Sequence, residues 1–137
     1  MKIYLASFLE PQNFGPGRKL AIANPVNYRG EIDGSLRFLA PKDDLLEGYK
    51  SLQYANKQLA AEMFISGYNE QLDYLFQDLQ KTTKQEGLDP DNFADIRSLM
   101  DLQEGDTLLS RERYAYTNYR SIVGEFLTKL GYEVVLR

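Results

Sequence analysis

Apolar residues cluster in four short stretches that have the composition of buried β-strands. Lys2–Leu9 is almost continuously apolar and is typical of a central strand buried on both faces. Asp106–Ser110 and Tyr132–Leu136 are shorter strands, and the first of them follows a Glu-Gly-Asp turn. Leu20–Ala23 is the fourth, and its direction stays open because the loop before it is too short for a normal crossover helix. Leu36–Ala40 fits either a brief strand or the entry to a helix.

Between these strands the apolar residues recur every three to four positions, which predicts helices. The predicted helices are Pro41–Phe64, Tyr68–Glu86, a helix that begins at Asp89-Pro90 and Ser121–Leu130. Ser66 and Gly67 are expected to separate the first two, since glycine destabilises a helix interior. Thr117 or Asn118 is the natural N-cap of the last helix, and Gly131 has the place of its C′ glycine.

The order of these elements predicts an α/β fold. The last helix stands between two strands with a tight turn at Gly131, a pattern that is typical of a parallel strand pair joined by a right-handed crossover. We expect one α/β domain over residues 1–137. Its predicted architecture is a small three-layer sandwich around a mostly parallel sheet of about four or five strands, with a helical middle segment.

The stretch Asp106–Arg120, DTLLSRERYAYTNYR, is the candidate binding site. Its pattern is a strand, then a polar loop, then a helix N-terminus. Ligands of open α/β sheets bind outside the carboxyl ends of the strands, and a helix N-terminus adds unpaired N–H groups with a partial positive charge. Elsewhere, a Gly-Pro-Gly loop is followed by Arg18 and Lys19. The predicted ligand-binding residues are Ser7, Arg18, Lys19, Ser110, Arg111, Glu112, Arg113, Asn118, Tyr119 and Arg120.

Composition excludes several chemistries. The 137 residues include no cysteine and no histidine, so disulfides, thiolate nucleophiles, histidine general bases and imidazole metal ligands are excluded. No loop has the spaced acidic pattern of a dedicated calcium site, and we expect neither a metal nor a cofactor. A net charge of -4 argues against general nucleic-acid binding. No apolar run reaches the length of a membrane span, so we expect no membrane association and a cytoplasmic location.

Three stretches share a pattern with a known family. They are KIYLASF at the start, RFLAPKDDLLEGYK at 37–50 and LLSRERYAYTNYRSIVGEFLTKLGYEV at 108–134. Together they resemble domain-of-unknown-function family 488, a group of small bacterial and archaeal α/β proteins. In that family the last segment typically carries Leu-Cys-x-Glu-Lys and then Cys-His-Arg. Glu112 and Arg120 match the Glu and the last Arg of this pattern.

The chain departs from the family at its cysteine and histidine positions. Ser110 takes the place of the first Cys, and Arg113 takes the place of the Lys. Asn118 and Tyr119 take the places of the second Cys and the His. The resemblance therefore implies a relative that keeps the scaffold of a site without its cysteines and histidine, as a protein specialised for binding would.

Three functions remain open. The first is a non-catalytic protein that binds an anionic, nucleotide-like or phosphorylated small ligand at 106–120, with arginines holding phosphate and a tyrosine stacking on a base. The second is a protein–protein interaction module, such as an inhibitor or adaptor from a mobile element, for which the many aromatic residues are suited. The third is a carboxylate-dependent enzyme that acts on a nucleotide or sugar-phosphate, with Glu112 as nucleophile or general base. We expect binding rather than catalysis.

Overall fold

A computed structural model describes residues 1–23, 32–110 and 118–137, and Asn118 by its backbone alone. Its strands are β1 (Lys2–Ser7), β2 (Lys19–Ala21), β3 (Gly34–Ser35), β4 (Thr107–Ser110) and β5 (Glu133–Leu136). Its helices are α1 (Asp43–Leu52), α2 (Lys57–Gln85), α3 (Phe93–Arg97) and α4 (Asn118–Lys129).

The strands form one parallel sheet in the order β3-β2-β4-β1-β5. The predicted α/β class and the mostly parallel sheet are confirmed. The direction of β2, which the sequence left open, is parallel: Leu20 lies opposite Leu108 of β4. The amino ends of the central strands therefore all lie at one end of the sheet, the amino edge, and their carboxyl ends all lie at the other, the carboxyl edge. The lateral edges of the sheet are the outermost strands, β3 and β5.

Two apolar clusters cover the two faces of the sheet. The larger joins strand residues such as Ile3, Leu5 and Leu108 to buried residues of all four helices. The smaller, on the opposite face, includes Ala6 and Phe8. Part of its cover comes from the loop after β1, whose Phe14 packs on this cluster. Within the described ranges, one outer layer is thus helical and the other is irregular chain. None of the helices described is both long and apolar enough to cross a membrane.

The predicted helix break at Ser66 and Gly67 is wrong, because α2 runs without interruption from Lys57 to Gln85. The break lies earlier, at Asn56, whose side chain accepts a hydrogen bond from the Leu59 N–H at 3.0 Å and caps α2. Gly67 has a packing role instead. A Cβ atom at this position would overlap the side chain of Leu45 on α1, so glycine lets the two helices approach closely. The intrinsic cost of one glycine in a helix interior is only about 1 kcal/mol, and α2 continues through this position.

Two further boundaries differ from the predictions. The helix expected at Asp89 begins at Phe93, because the Asn92 side chain accepts the Asp95 N–H at 3.2 Å and forms the cap. The segment 36–40, for which a brief strand and the entry to a helix were both open, forms a single 3-10 turn, Arg37–Leu39, that ends before α1 begins at Asp43. In both places several residues compete as caps or turn formers, and the sequence pattern does not choose between them.

The C-terminal strand–helix–strand unit has the predicted form. Gly131 has a φ of 99°, a left-handed conformation that suits glycine at the end of a helix. The helix α4 crosses over β1 and connects β4 to β5, which lies on the other side of β1. Gly124 of α4 is buried, and a Cβ there would lie 3.3 Å from Leu5 and 3.5 Å from Val134, so this glycine lets the helix lie close to the sheet.

Candidate functional site

The connections of two neighbouring strands leave the carboxyl edge of the sheet towards opposite faces. After β1 the chain leads across β4 to β2, and after β4 it leads across β1 to β5. The loop after β1 packs on the smaller apolar cluster through Phe14, whereas α4, which follows β4, packs on the larger cluster of the other face. In open α/β sheets, ligands usually bind outside the carboxyl ends of the strands at such a position.

Two serines end these two strands side by side. Ser7 of β1 and Ser110 of β4 are register partners, and both are buried. The Phe8 N–H donates to the Ser110 carbonyl at 3.0 Å, which holds the two strand ends together. The Ser7 hydroxyl accepts the Leu9 N–H at 3.1 Å. The Ser110 hydroxyl has no hydrogen-bond partner among the residues that the structure describes.

Tyr119 anchors the start of α4 to the same edge of the sheet. Its hydroxyl donates to the backbone carbonyl of Ile22, the residue that follows β2. Its ring packs edge-on against Tyr68 of α2, with ring centroids 5.2 Å apart. Burial raises the pKa of Tyr119 and that of Tyr68, so both phenols remain neutral donors. The Tyr119 ring is 3% exposed, so its faces are covered by the core and are closed to stacking.

The first turn of α4 carries the only described arginine of the predicted 106–120 stretch. Arg120 follows Tyr119 directly and is half-buried. Asn118 is the first residue of the helix. Arg111, Glu112 and Arg113 lie outside the described residues. The structure therefore brings Ser7, Ser110 and the start of α4 to one edge of the sheet.

Arg18 and Lys19 lie at the other edge. Both stand at the amino end of β2, where Lys19 pairs with Thr107, the first residue of β4. Thr107 and Ser110 are three strand residues apart, which corresponds to roughly 10 Å. The structure therefore does not bring Arg18 and Lys19 to the paired serines.

Arg18 is half-buried at the amino edge and makes an ion pair there with the buried Asp106. Its Nη2 donates to Oδ2 of Asp106 at 2.7 Å, and its Nε donates to Oδ1 at 3.2 Å. The backbone N–H groups of Arg18 and Gln103 donate to the same carboxylate, at 3.3 and 2.8 Å. Arg18 Nη2 also donates to the Asp101 carbonyl at 2.8 Å. The hydrogen bonds to Asp106 raise the pKa of Arg18.

Sequence reasoning missed the role of Asp106, because it assigned this residue to the start of a strand. The signal that could have found it is an aspartate directly after a turn glycine, a position where carboxylates accept nearby backbone N–H groups. Asp106 is 1% exposed. A carboxylate so buried needs a cation, and the sequence pattern alone does not identify Arg18 as that partner.

A separate groove lies on the helical layer, between α2, α3 and α4, with a cavity volume of about 450 Å³. Apolar side chains such as Phe76 and Phe126 line it, and the carboxylates of Asp73 and Glu125 stand at its rim beside Lys129. Neither Ser7 nor Ser110 lines it. Its acidic rim and apolar walls are unsuited to an anion. Among the residues described, no three acidic side chains come together as a metal site would require.

Comparison of the chain with protein-family models, curated proteins and solved structures finds no match. The resemblance to domain-of-unknown-function family 488 therefore stays a prediction from the residues quoted above.

Proposed function

We propose that the protein binds a small anionic ligand, phosphorylated or nucleotide-like, at the carboxyl edge of the sheet, between the ends of β1 and β4 and the start of α4. The observation that carries the proposal is the placement of Ser7 and Ser110, which are adjacent and buried at the carboxyl ends of β1 and β4, two strands whose connections pass over opposite faces of the sheet. A buried hydroxyl normally has a hydrogen-bond partner. The Ser110 hydroxyl has none among the described residues, and a ligand oxygen at this edge would supply one.

The helix α4 supports an anionic ligand rather than a neutral one. Its first N–H groups have no partner within the helix, and the helix dipole adds a partial positive charge at this end. Tyr119 anchors the start of the helix to Ile22, at the carboxyl end of β2. Such a terminus binds phosphate well when it is held in place. Arg120, in the same turn, supplies a full positive charge and can bind a phosphate with two parallel N–H donors.

The proposed site differs from the predicted residue set in two ways. Arg18 and Lys19 are not included, since both lie at the opposite edge, where the Arg18 guanidinium is engaged by Asp106. Tyr119 is included only as an anchor for α4, since its ring is covered by the core. The proposed role is binding, and analysis of the ligand after incubation separates binding from turnover by a carboxylate such as Glu112.

The experiment is a thermal-shift screen of the purified protein against inorganic phosphate, mononucleotides, dinucleotides and cyclic nucleotides. A ligand at about 100 times its Kd stabilises the folded state by about 2.7 kcal/mol. The screen is repeated on Arg120→Ala and on a matched control, Lys81→Ala, which removes one positive charge from an exposed position on α2. We expect a ligand-specific shift that is retained in the control and lost in Arg120→Ala.

Two outcomes would contradict the proposal. A shift that survives Arg120→Ala unchanged would place the ligand away from the start of α4. The absence of any shift would favour the alternative of a protein–protein module, for which the apolar groove beside Phe76 and Phe126 offers a surface.

A further inference from the structure

The strand β5 (Glu133–Leu136) is the outermost strand on one side of the sheet. It pairs with β1 on one side, and no strand within 1–23, 32–110 and 118–137 pairs with the other. Leu136 at its end is 52% exposed. Natural proteins usually protect such an edge with proline, a bulge or a charge in the middle of the strand. The sequence Glu-Val-Val-Leu-Arg at 133–137 has none of these between its two terminal charges.

The backbone of β5 presents hydrogen-bonding groups outward at two positions. The N–H groups of Glu133 and Arg137 donate inward, to the carbonyls of Met1 and Leu5, each at 2.9 Å. Successive residues of a strand alternate in this direction, so the N–H and C=O groups of Val134 and Leu136 point away from β1. Two unpaired residues with one residue between them are the pattern that an added strand requires.

Two antiparallel copies of the segment 133–137 match each other in charge and in backbone hydrogen-bonding groups. In an antiparallel pair of two copies centred on Val135, Val134 of each copy lies opposite Leu136 of the other. Both of these residues have outward backbone groups, so the hydrogen bonds of the pair are satisfied. Glu133 then lies opposite Arg137, once at each end of the pair. These are non-hydrogen-bonded positions, where opposite side chains come closest and opposite charges stabilise the pair.

Side-chain direction agrees with this register. Glu133 and Val135 lie opposite Lys2 and Tyr4 in β1 and share one face of the sheet with them. Arg137 is on the same face, with its guanidinium 5.4 Å from the centroid of the Tyr4 ring. The charges that would meet across the pair are therefore on the same face, as a salt bridge requires.

We propose that β5 is a self-association edge, at which two copies of this chain pair antiparallel about a two-fold axis through Val135 and join their sheets into one. The contact is isologous, so it closes on itself and produces a dimer rather than a fibre. The two Glu133–Arg137 pairs set the register against slipped alternatives, in which these charges do not face each other.

Cysteine cross-linking tests the register. The chain has no cysteine, so Val135→Cys introduces a single thiol. Across the proposed axis the two Cα atoms at 135 are about 4.5 Å apart, which is within disulfide reach. The matched control is Leu136→Cys, whose native side chain is the more exposed but whose two copies would lie two residues out of register. We expect mild oxidation to give a covalent dimer of Val135→Cys and not of Leu136→Cys. Equal cross-linking of both, or of Leu136→Cys alone, would overturn the proposal.

Reversing the charges at positions 133 and 137 tests whether the partner of β5 is a second copy of this chain. Sedimentation of the wild-type protein at high micromolar concentration is expected to show a dimer. Glu133→Arg and Arg137→Glu each place like charges opposite each other at both ends, and each is expected to weaken the dimer roughly ten-fold. An equimolar mixture of the two variants restores opposite charges at every position, so we expect a heterodimer to form. Glu70→Arg, on the exposed face of α2, is the control for the change in net charge.

A monomeric wild-type protein, or a mixture that does not associate better than either variant alone, would overturn the proposal. The mixing experiment does not depend on ligand, and the anion screen does not depend on dimer formation, so the two proposals fail separately.

Discussion

The two edges of the parallel sheet use their polar residues differently. At the amino edge the buried Asp106 carboxylate is paired within the chain, because it accepts from the Arg18 side chain and from two backbone N–H groups. At the carboxyl edge the strand ends are joined by the Phe8 N–H, yet the buried Ser110 hydroxyl has no partner among the residues described. The amino edge therefore stabilises the fold, and the carboxyl edge is the one at which we propose that a ligand binds.

The two ends of β4 show the same difference in hydrogen bonding. At the amino end of β4, the Thr107 hydroxyl accepts the Gly15 N–H at 2.7 Å. At its carboxyl end, the Ser110 hydroxyl is equally buried but has no such donor among the described residues. Residue type alone does not separate them, since both are small hydroxyl side chains on a central strand. Their hydrogen-bond partners differ, and the predictions below test this difference from the largest expected effect to the smallest.

Arg18→Met is expected to cost the most. It removes the cation from a carboxylate that is 1% exposed and leaves that carboxylate with two backbone N–H donors, which costs about 3 kcal/mol or somewhat less. Urea denaturation should show this as a lower free energy of unfolding. Lys19→Met is the control, because this neighbouring lysine makes no described ion pair, and its effect is expected within about 0.5 kcal/mol. Equal effects of the two variants would mean that Arg18 is not a structural residue.

Alkaline pH is expected to destabilise the anchor of α4. Burial raises the pKa of Tyr119 and of Tyr68 in the folded state above the ordinary value of 10.0. The unfolded chain therefore loses these protons first, and stability present below about pH 10 is lost as the pH rises further. For two phenols the loss by about pH 11 is roughly 2–3 kcal/mol. Urea denaturation at several pH values measures it.

The control for the pH experiment is the double variant Tyr68→Phe/Tyr119→Phe. It is less stable at neutral pH, because the Leu39 and Ile22 carbonyls lose their donors. Its stability should nevertheless fall less steeply above about pH 10. The same slope in both proteins would show that other groups control alkaline unfolding.

Thr107→Val sharpens the comparison along β4. It leaves the Gly15 N–H without its partner, which costs about 1–2 kcal/mol. Because the change lies at the amino edge, we expect the ligand-dependent thermal shift to be retained. Loss of that shift in a folded Thr107→Val protein would contradict the separation of the two edges.

Ser110→Ala is expected to have the smallest effect on stability and a larger one on binding. Since its hydroxyl has no described partner, the free energy of unfolding should change by no more than about 0.5 kcal/mol. The ligand-dependent thermal shift should decrease. A loss of stability as large as that of Thr107→Val, with binding unchanged, would make Ser110 an ordinary structural residue.

The hydrophobic patterns of the sequence predicted the existence of the helices and strands more accurately than their boundaries. Short apolar runs identified four of the five described strands, and the glycine at 131 marked the end of α4. The break expected at Gly67 was wrong, because a single helical glycine costs only about 1 kcal/mol and the Leu45 side chain packs where its Cβ atom would lie. A propensity of about 1 kcal/mol does not decide a boundary when tertiary contacts are worth more.

The sequence likewise predicted part of the candidate site and missed part of it. The pattern of 106–120, a strand followed by a polar loop and a helix start, came from the sequence, and Ser7 and Ser110 lie together at the carboxyl edge. Arg18 and Tyr119 shared the residue types of a binding site, yet the first pairs with Asp106 and the second donates to Ile22. Charge and aromaticity indicate what a side chain can do, whereas burial and partners decide whether it is available.

The sequence by itself determined the α/β class, the strand–helix–strand unit at the C-terminus and the exclusion of thiol and imidazole chemistry, because composition and hydrophobic periodicity are local properties. Only the tertiary structure decided the direction of β2, and with it the edge to which Arg18 belongs. A short strand has the same pattern whichever way it runs. Its direction depends on pairing with β4, which is some ninety residues away in the chain.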